Sequence, residues 1–317
     1  MKRLTFIKTI DHIQLGHLYE HIYCANLSKF FRNNGLYAYI DYNIDAKTYY
    51  DGYIRLEVEL YSTDAVTKKD VIQTLNIDFT QDEVIGGLLQ IMAEKYADVK
   101  HFDEAYAISV LRRYHSAPWE IVDGVGIINV QIDKKSLKGL QLIDRNRRKF
   151  ARLKHELTVS ASYIDTDRET LLPLFVVLSR AIGNNLRDFI PNNSFCFSYE
   201  DDFIILDDIY RDINLYSIDK RQATSLTDEL EESKKMLHAM IKSGFVKKLS
   251  LYLKHSSTKS MQSPDDEEIS TKTGMIIGPK GWKDIGTEAN ILDVLRHMTL
   301  AFSLGKSEQS INLSDVF

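Results

Sequence analysis

The chain has 317 residues, of which 44% are hydrophobic and 27% are charged. A chain of this size and composition can bury a sizeable core, and we expect two compact domains rather than one. Acidic and basic residues are interspersed and the net charge is -5, so no nucleic-acid-binding surface is expected. Two cysteines are too few for a secreted disulfide scaffold.

The sequence also bears on the location of the protein. No stretch of 18 apolar residues occurs, and the basic first ten residues lack an apolar core of signal-peptide length. We therefore predict a cytoplasmic protein without membrane insertion. The low numbers of proline (5) and glycine (15) indicate long regular elements.

The first half of the chain mixes helical and strand patterns. Apolar spacing and turn signals predict, in order, a strand, a helix, a hairpin and two helices over Leu4–Thr9, Gly16–Phe31, Gly35–Tyr61, Val84–Tyr96 and Asp103–Tyr114. The first helix is expected to stop at Asn33–Gly35, where asparagine and glycine follow the last apolar residue.

The second half follows a basic, polar stretch over Asp144–Lys154. Here the patterns predict a strand from Leu157, a helix, an alternating segment and a second long helix, the last three over Glu169–Asn185, Phe195–Leu206 and Ser225–Lys242. A polar, acidic segment over residues 256–273 precedes a last helix over Glu288–Phe302.

These elements predict an α+β fold made of two successive α/β sandwich-like domains, each a mostly antiparallel sheet covered by helices. We place the first domain at residues 1–148 and the second at 149–255. Residues 256–317 form a flexible acidic segment and a C-terminal helix in this interpretation.

One motif in the first helix carries chemistry: His17-Leu18-Tyr19-Glu20-His21. Residues i and i+4 share a helix face, so both imidazoles can bind one tetrahedral zinc ion while Glu20 lies beside it. A carboxylate beside zinc can take a proton from the attacking water and pass it to the leaving amine. The alternative is a surface pair of His17 and Glu20 with a packed His21.

The segment Leu15–Ile22 resembles the G-x-x-H-x-x-E-H helix of pitrilysin/insulinase-type zinc metallopeptidases. Their motif helix follows an early strand and precedes a glycine-started hairpin with an aspartate and a T-x-Y/F ending. This chain offers Gly35, Asp45, Tyr49 and Tyr50 at these places. The family has the pattern N-A-x-T on its edge strand. In an ungapped alignment this chain departs from that pattern, with Tyr39, Ile40 and Tyr42 at those places.

The resemblance implies a third zinc ligand, a glutamate on a later helix somewhat over seventy residues beyond the second histidine. Glu94 fits best, with 72 residues between it and His21. Glu104, with 82 intervening residues, is the alternative. Glu83 is too near the motif and too close to the start of its own helix.

The resemblance also suggests a substrate-binding residue in the second domain. Relatives place an arginine and a tyrosine there that assist substrate binding and catalysis. Arg187 matches the arginine, but Ser194 or Phe195 stands at the tyrosine position. An ordinary surface or capping role for Arg187 stays equally open.

The resemblance covers about the first 250 residues, one half of an enzyme that encloses its substrate between two such halves. It therefore implies a partner half, either a second copy in a homodimer or a separate chain in a heterodimer. Three hypotheses follow. The chain is a zinc-dependent endopeptidase acting on short or unfolded peptides, a catalytically inactive pitrilysin-like subunit that binds or supports an active peptidase, or an unrelated protein with an accidental motif.

Overall fold

The structure is a computed structural model, and it describes residues 2–61, 66–95, 103–122, 157–163, 169–189, 195–200, 212–217, 226–256, 275, 277–304 and 306–316. Two sheets carry these parts of the chain, and every strand pair in them is antiparallel. Helices pack on both sheets. The predicted α+β class is confirmed.

The first sheet has the strand order β2-β3-β1-β4, which places β2 at one edge. Its strands are β1 (Lys2–Thr9), β2 (Tyr42–Tyr49), β3 (Tyr53–Leu60) and β4 (Glu120–Val122). The helices of this part of the chain are α1 (Ile13–Asn33), α2 (Lys68–Leu75), α3 (Gln81–Lys95) and α4 (Glu104–Ser116). The predicted first strand, motif helix and hairpin are confirmed.

Helix α1 is fixed at both ends. At its N-terminus the His12 Nδ1 accepts a hydrogen bond from the Leu15 amide at 3.3 Å, which satisfies one of the amides that a helix start leaves unpaired. Just beyond its C-terminus Gly35 has a φ of 70°, a left-handed conformation that glycine adopts without strain. The helix buries an apolar face in the hydrophobic core of the first sheet, called here the first core. The residues of this face are Leu15, Leu18, Tyr19, Ile22, Tyr23, Leu27 and Phe31.

A buried lysine lies between this sheet and its helices. Lys8 is 1% exposed, and its Nζ donates to the carbonyl oxygens of Tyr114 (2.9 Å) and Ala117. The same ammonium lies 4.9 Å from the ring centroid of Trp119, a favourable cation–π distance. Burial lowers the pKa of Lys8 from 10.5 to about 8, because the charged form loses hydration.

The second sheet has the order β6-β7-β5-β8-β9. Its strands are β5 (Leu157–Tyr163), β6 (Phe195–Glu200), β7 (Asp212–Ser217), β8 (Met298–Leu304) and β9 (Ser307–Asn312). The helices are α5 (Leu172–Phe189), α6 (Leu226–Lys242), α7 (Phe245–Ser256), α8 (Pro279–Ile285) and α9 (Glu288–His297), and short 3-10 turns cover Glu169–Leu171 and Leu313–Val316.

The end of the chain differs from the sequence prediction. The helix predicted over Glu288–Phe302 ends at His297, and the next seven residues form β8, which pairs with β5. Strand pairing decides this, because alternate residues Met298, Leu300 and Phe302 enter the second core. The boundary at residue 148 and most of the acidic segment lie outside the described residues, so the three domain assignments stay predictions.

Polar contacts tie the segment before β2 to the second sheet's helices. The Asn185 amide accepts from the Ala38 N–H and donates to the Ala38 carbonyl, both at 3.2 Å. Lys248 donates to the buried carboxylate of Asp41 at 2.8 Å. These bonds hold the start of β2 in place.

Candidate metal centre

Helix α1 brings the three motif residues together. The Nε2 atoms of His17 and His21 lie 3.1 Å apart, and a Glu20 carboxylate oxygen completes a group whose ligand atoms lie within 4.8 Å of one another. His21 and Glu20 are 7% and 9% exposed, while His17 is half-buried. His17 is therefore the most exposed of the three side chains.

The spacing fits a zinc ion. Two nitrogens bound to one tetrahedral zinc at 2.0–2.1 Å are about 3.3 Å apart by geometry, close to the 3.1 Å between His17 and His21. The imidazole ring planes meet at 64°, with ring centroids 4.6 Å apart. The same separation also fits an N–H···N hydrogen bond between the rings.

Strand β2 supplies a residue that the sequence analysis missed. The Thr48 hydroxyl donates a hydrogen bond to Glu20 Oε2. Thr48 is the seventh residue of β2, the edge strand of the first sheet. The edge strand and the motif helix therefore meet at the carboxylate.

The segment before the edge strand forms a turn. Tyr39 and Ile40 are not on β2, which begins only at Tyr42. Before it the chain makes a tight turn, in which the Asp41 carboxylate accepts from the Tyr37 amide at 2.9 Å and Tyr39 has a φ of 73°. The alignment of N-A-x-T with Tyr39, Ile40 and Tyr42 stays a prediction.

Helix α3, which carries the predicted third ligand, packs on the motif helix. A Cβ built on Gly87 would lie 3.1 Å from Leu18, 3.2 Å from Ile22 and 3.5 Å from His21. Glycine thus permits a close approach of the two helices. Glu94 is seven residues further along α3, hence on the same face two turns away. Its side chain lies outside the described residues, so its role stays a prediction.

The two other glutamates have different partners. Glu83 accepts from the Thr80 amide at 2.7 Å at the start of α3. Glu104 accepts from the Gln81 side chain between α4 and α3. Neither belongs to the metal-binding group found among the described side chains.

The predicted substrate-binding residue is placed only in part. Arg187 lies in the last turn of α5, and its side chain is outside the described residues. Phe195 begins β6, and Ser194 is not described. The assignment of Arg187 stays a prediction.

Comparisons with known proteins give only distant likenesses. No protein-family model and no curated protein matches the chain. Among solved structures, the periplasmic protease PqqL from Escherichia coli matches with 12% identity and a TM-score of 0.27 over 93% of this chain and 41% of that chain. A mutant of the ferredoxin protease FusC in complex with Arabidopsis ferredoxin matches with 8% identity and a TM-score of 0.28 over 92% and 40%. Pitrilysin matches with 12% identity and a TM-score of 0.19 over 90% and 43%.

This chain thus spans about two fifths of the length of the proteins it matches. TM-scores this low carry no argument about function, so the site stands on its own contacts. Within the described part of the chain, no helix is long and apolar enough to cross a membrane.

Proposed function

We propose that the chain is a zinc-dependent endopeptidase that hydrolyses short or unfolded peptides. One observation carries the proposal: His17 and His21 converge at 3.1 Å on a helix that also presents Glu20. Two imidazoles and a carboxylate within 4.8 Å are the groups that metal-assisted hydrolysis requires.

Each residue has a separate task in this proposal. His17, His21 and Glu94 would hold a zinc ion, which would supply polarisation of the peptide carbonyl and acidity of a bound water. Glu20 accepts a proton on its carboxylate during attack and delivers it to the departing amine. Its low exposure of 9% shields this proton from bulk water.

The peptide would bind as an additional strand beside β2. This strand is at the edge of the first sheet, and its residue Thr48 touches Glu20. Strand addition uses main-chain hydrogen bonds, so it accepts many sequences but requires an extended chain. That requirement is the reason for proposing short or unfolded peptides as substrates.

A partner half completes the proposal. The motif is partly accessible to solvent, since His17 is only half-buried. One half of a two-half enzyme does not enclose a peptide. We propose a second pitrilysin-like half, a homodimer or a heterodimer, with Arg187 contributing to substrate binding. A cytoplasmic location and the absence of nucleic-acid partners stay predictions.

A catalytically inactive subunit is the second candidate. The 3.1 Å separation of the two imidazoles also suits a hydrogen bond without metal, and no tyrosine stands at positions 194 and 195. Such a subunit would bind or support an active peptidase.

The Glu20→Gln variant tests the proposal against an inactive subunit and against an accidental motif. With a quenched-fluorescence peptide library and zinc-loaded protein, we expect hydrolysis to fall by about 1,000-fold, within the range for loss of a general acid/base. The zinc content should stay at about one ion per chain. The matched control Glu232→Gln removes an exposed carboxylate on α6 and should keep full activity.

Other outcomes assign other roles. A Glu20→Gln protein that loses zinc would make Glu20 a ligand instead of the base. An active Glu20→Gln protein would contradict the mechanism. A wild-type protein that binds zinc but hydrolyses no peptide would favour the inactive subunit.

A further inference from the structure

We infer that Thr48 is a positioning residue for Glu20, so that the strand proposed to bind the peptide also orients the proposed base. The inference rests on the proposed function and deepens it. It begins from one contact between distant parts of the sequence: the Thr48 Oγ1 donates to Glu20 Oε2 across 28 positions of the chain.

The hydroxyl is out of place for a purely apolar packing role. Side chains alternate along β2, and the row that includes Thr48 also holds Tyr42, Ile44 and Ala46, all of which pack in the first core. Valine would fill the same space as threonine. The hydroxyl adds only the ability to donate a hydrogen bond, and Glu20 receives it.

A donor at this place restricts the carboxylate. The last torsion of a glutamate side chain is broad and roughly two-fold, so either oxygen can face a given direction. A hydrogen bond on Oε2 selects one orientation of the carboxyl plane. Thr48 is itself restricted, because a β-branched side chain in a strand has few χ1 rotamers. Helix α1 and strand β2 thus fix Glu20 from two sides.

The position of Thr48 links this restraint to peptide binding. Its backbone belongs to the edge strand, paired with β3 through Ile54. A peptide added to the other side of β2 would order the same backbone that carries the donor. Binding of an extended chain would therefore stabilise the productive orientation of Glu20.

The test compares Thr48→Val, Thr48→Ser and wild type. Thr48→Val removes the donor and keeps the branched shape, and Thr48→Ser keeps the donor. The matched control is Thr299→Val, which removes a threonine hydrogen bond to Asn312 in the second sheet (3.0 Å). Zinc content should stay unchanged in all variants, because Thr48 is not a metal ligand. The melting temperature should fall slightly in Thr48→Val, because the buried Glu20 carboxylate loses a donor.

We expect Thr48→Val to lower kcat by about 10- to 100-fold with KM changed by less than about twofold, the pattern of a misplaced catalytic group. Thr48→Ser should recover kcat to within about threefold. Thr299→Val should match wild type. A lower kcat with intact metal and intact KM separates positioning from a general loss of structure.

A second readout needs neither metal nor activity. In metal-free protein with 13C-labelled glutamate carboxyls, the signal absent from Glu20→Gln identifies Glu20 by NMR. This signal should shift in Thr48→Val and return in Thr48→Ser. An unshifted signal, or a shifted signal with unchanged kcat, would overturn the inference while leaving the proposed function intact. A wild-type protein that hydrolyses no peptide would remove both.

Discussion

The two sheets of the molecule bury different kinds of polar side chain. Among the residues that the structure describes, the buried lysine, histidine, aspartate and glutamate side chains all lie with the first sheet: Lys8, His12, Glu20, His21, Asp41 and Glu57. The buried polar side chains of the second sheet are Ser179, Asn185, Ser233 and Ser250. The first unit, β1 to β4 with helices α1 to α4, thus buries several acidic and basic side chains. The second unit, β5 to β9 with helices α5 to α9, buries serine hydroxyls, one amide and the phenol of Tyr163 within its apolar core.

This difference bears on the free energy that burial costs in each unit. Burying an ionisable group costs free energy unless partners replace the lost water. Individual partners surround these side chains: two carbonyls for Lys8 and Thr48 for Glu20 come from the first unit, and Lys248 on α7, a helix of the second sheet, binds Asp41. In the described core of the second sheet, Tyr163 is the ionisable side chain that is buried, so this cost is smaller there.

The largest expected effect is a loss of stability caused by a cavity in the core of the second unit. Phe175 is 0% exposed and stacks on Tyr163 with ring centroids 5.4 Å apart. We expect Phe175→Ala to lower the free energy of unfolding by about 3–5 kcal/mol, measured by urea denaturation. Zinc bound per folded molecule should not change. Metal loss from the folded variant would mean that the second unit helps to build the site.

A smaller effect tests the buried charge of the first unit. Lys8 has a pKa of about 8 in the folded protein against an ordinary 10.5. Between these pH values the unfolded chain binds more protons, so the stability contributed by Lys8 rises with pH. The free energy of unfolding of wild type should therefore gain about 2 kcal/mol between pH 7 and pH 10 relative to Lys8→Met.

Subtracting the Lys8→Met curve removes the titration of the tyrosines, which both proteins share. A flat difference between the two curves would show that Lys8 is hydrated in the folded protein. The comparison between the two units would then lose one of its buried charges.

Long elements with regular apolar spacing were predictable from the sequence. Helices α1, α5 and α6 and the hairpin of β2 and β3 follow from apolar spacing over ten or more residues. Helix α2 was missed although Thr67 and Asp70 form a capping box at its start. Strand β8 was missed for a different reason: no glycine or proline marks the end of the helix at His297, and only pairing with β5 makes Met298–Leu304 a strand.

The candidate site likewise contains residues that the sequence predicts and one that it does not. His17, Glu20 and His21 lie within five residues, so helix geometry alone brings them together. Thr48 could not be found by local spacing, because its contact depends on how the edge strand packs against α1. In the sequence Thr48 stands directly before Tyr49 and Tyr50 in the hairpin ending, which gives no sign of a contact with Glu20. Glu94 and Arg187 stay predictions.

The most direct test of a zinc site on α1 is the metal content of the purified protein by elemental analysis. We predict about one zinc per chain for wild type, and almost none for folded His17→Ala and His21→Ala. The control His238→Ala, an exposed histidine on α6, should keep its zinc. Folded wild-type protein without zinc, or zinc retained in His17→Ala, would contradict the account.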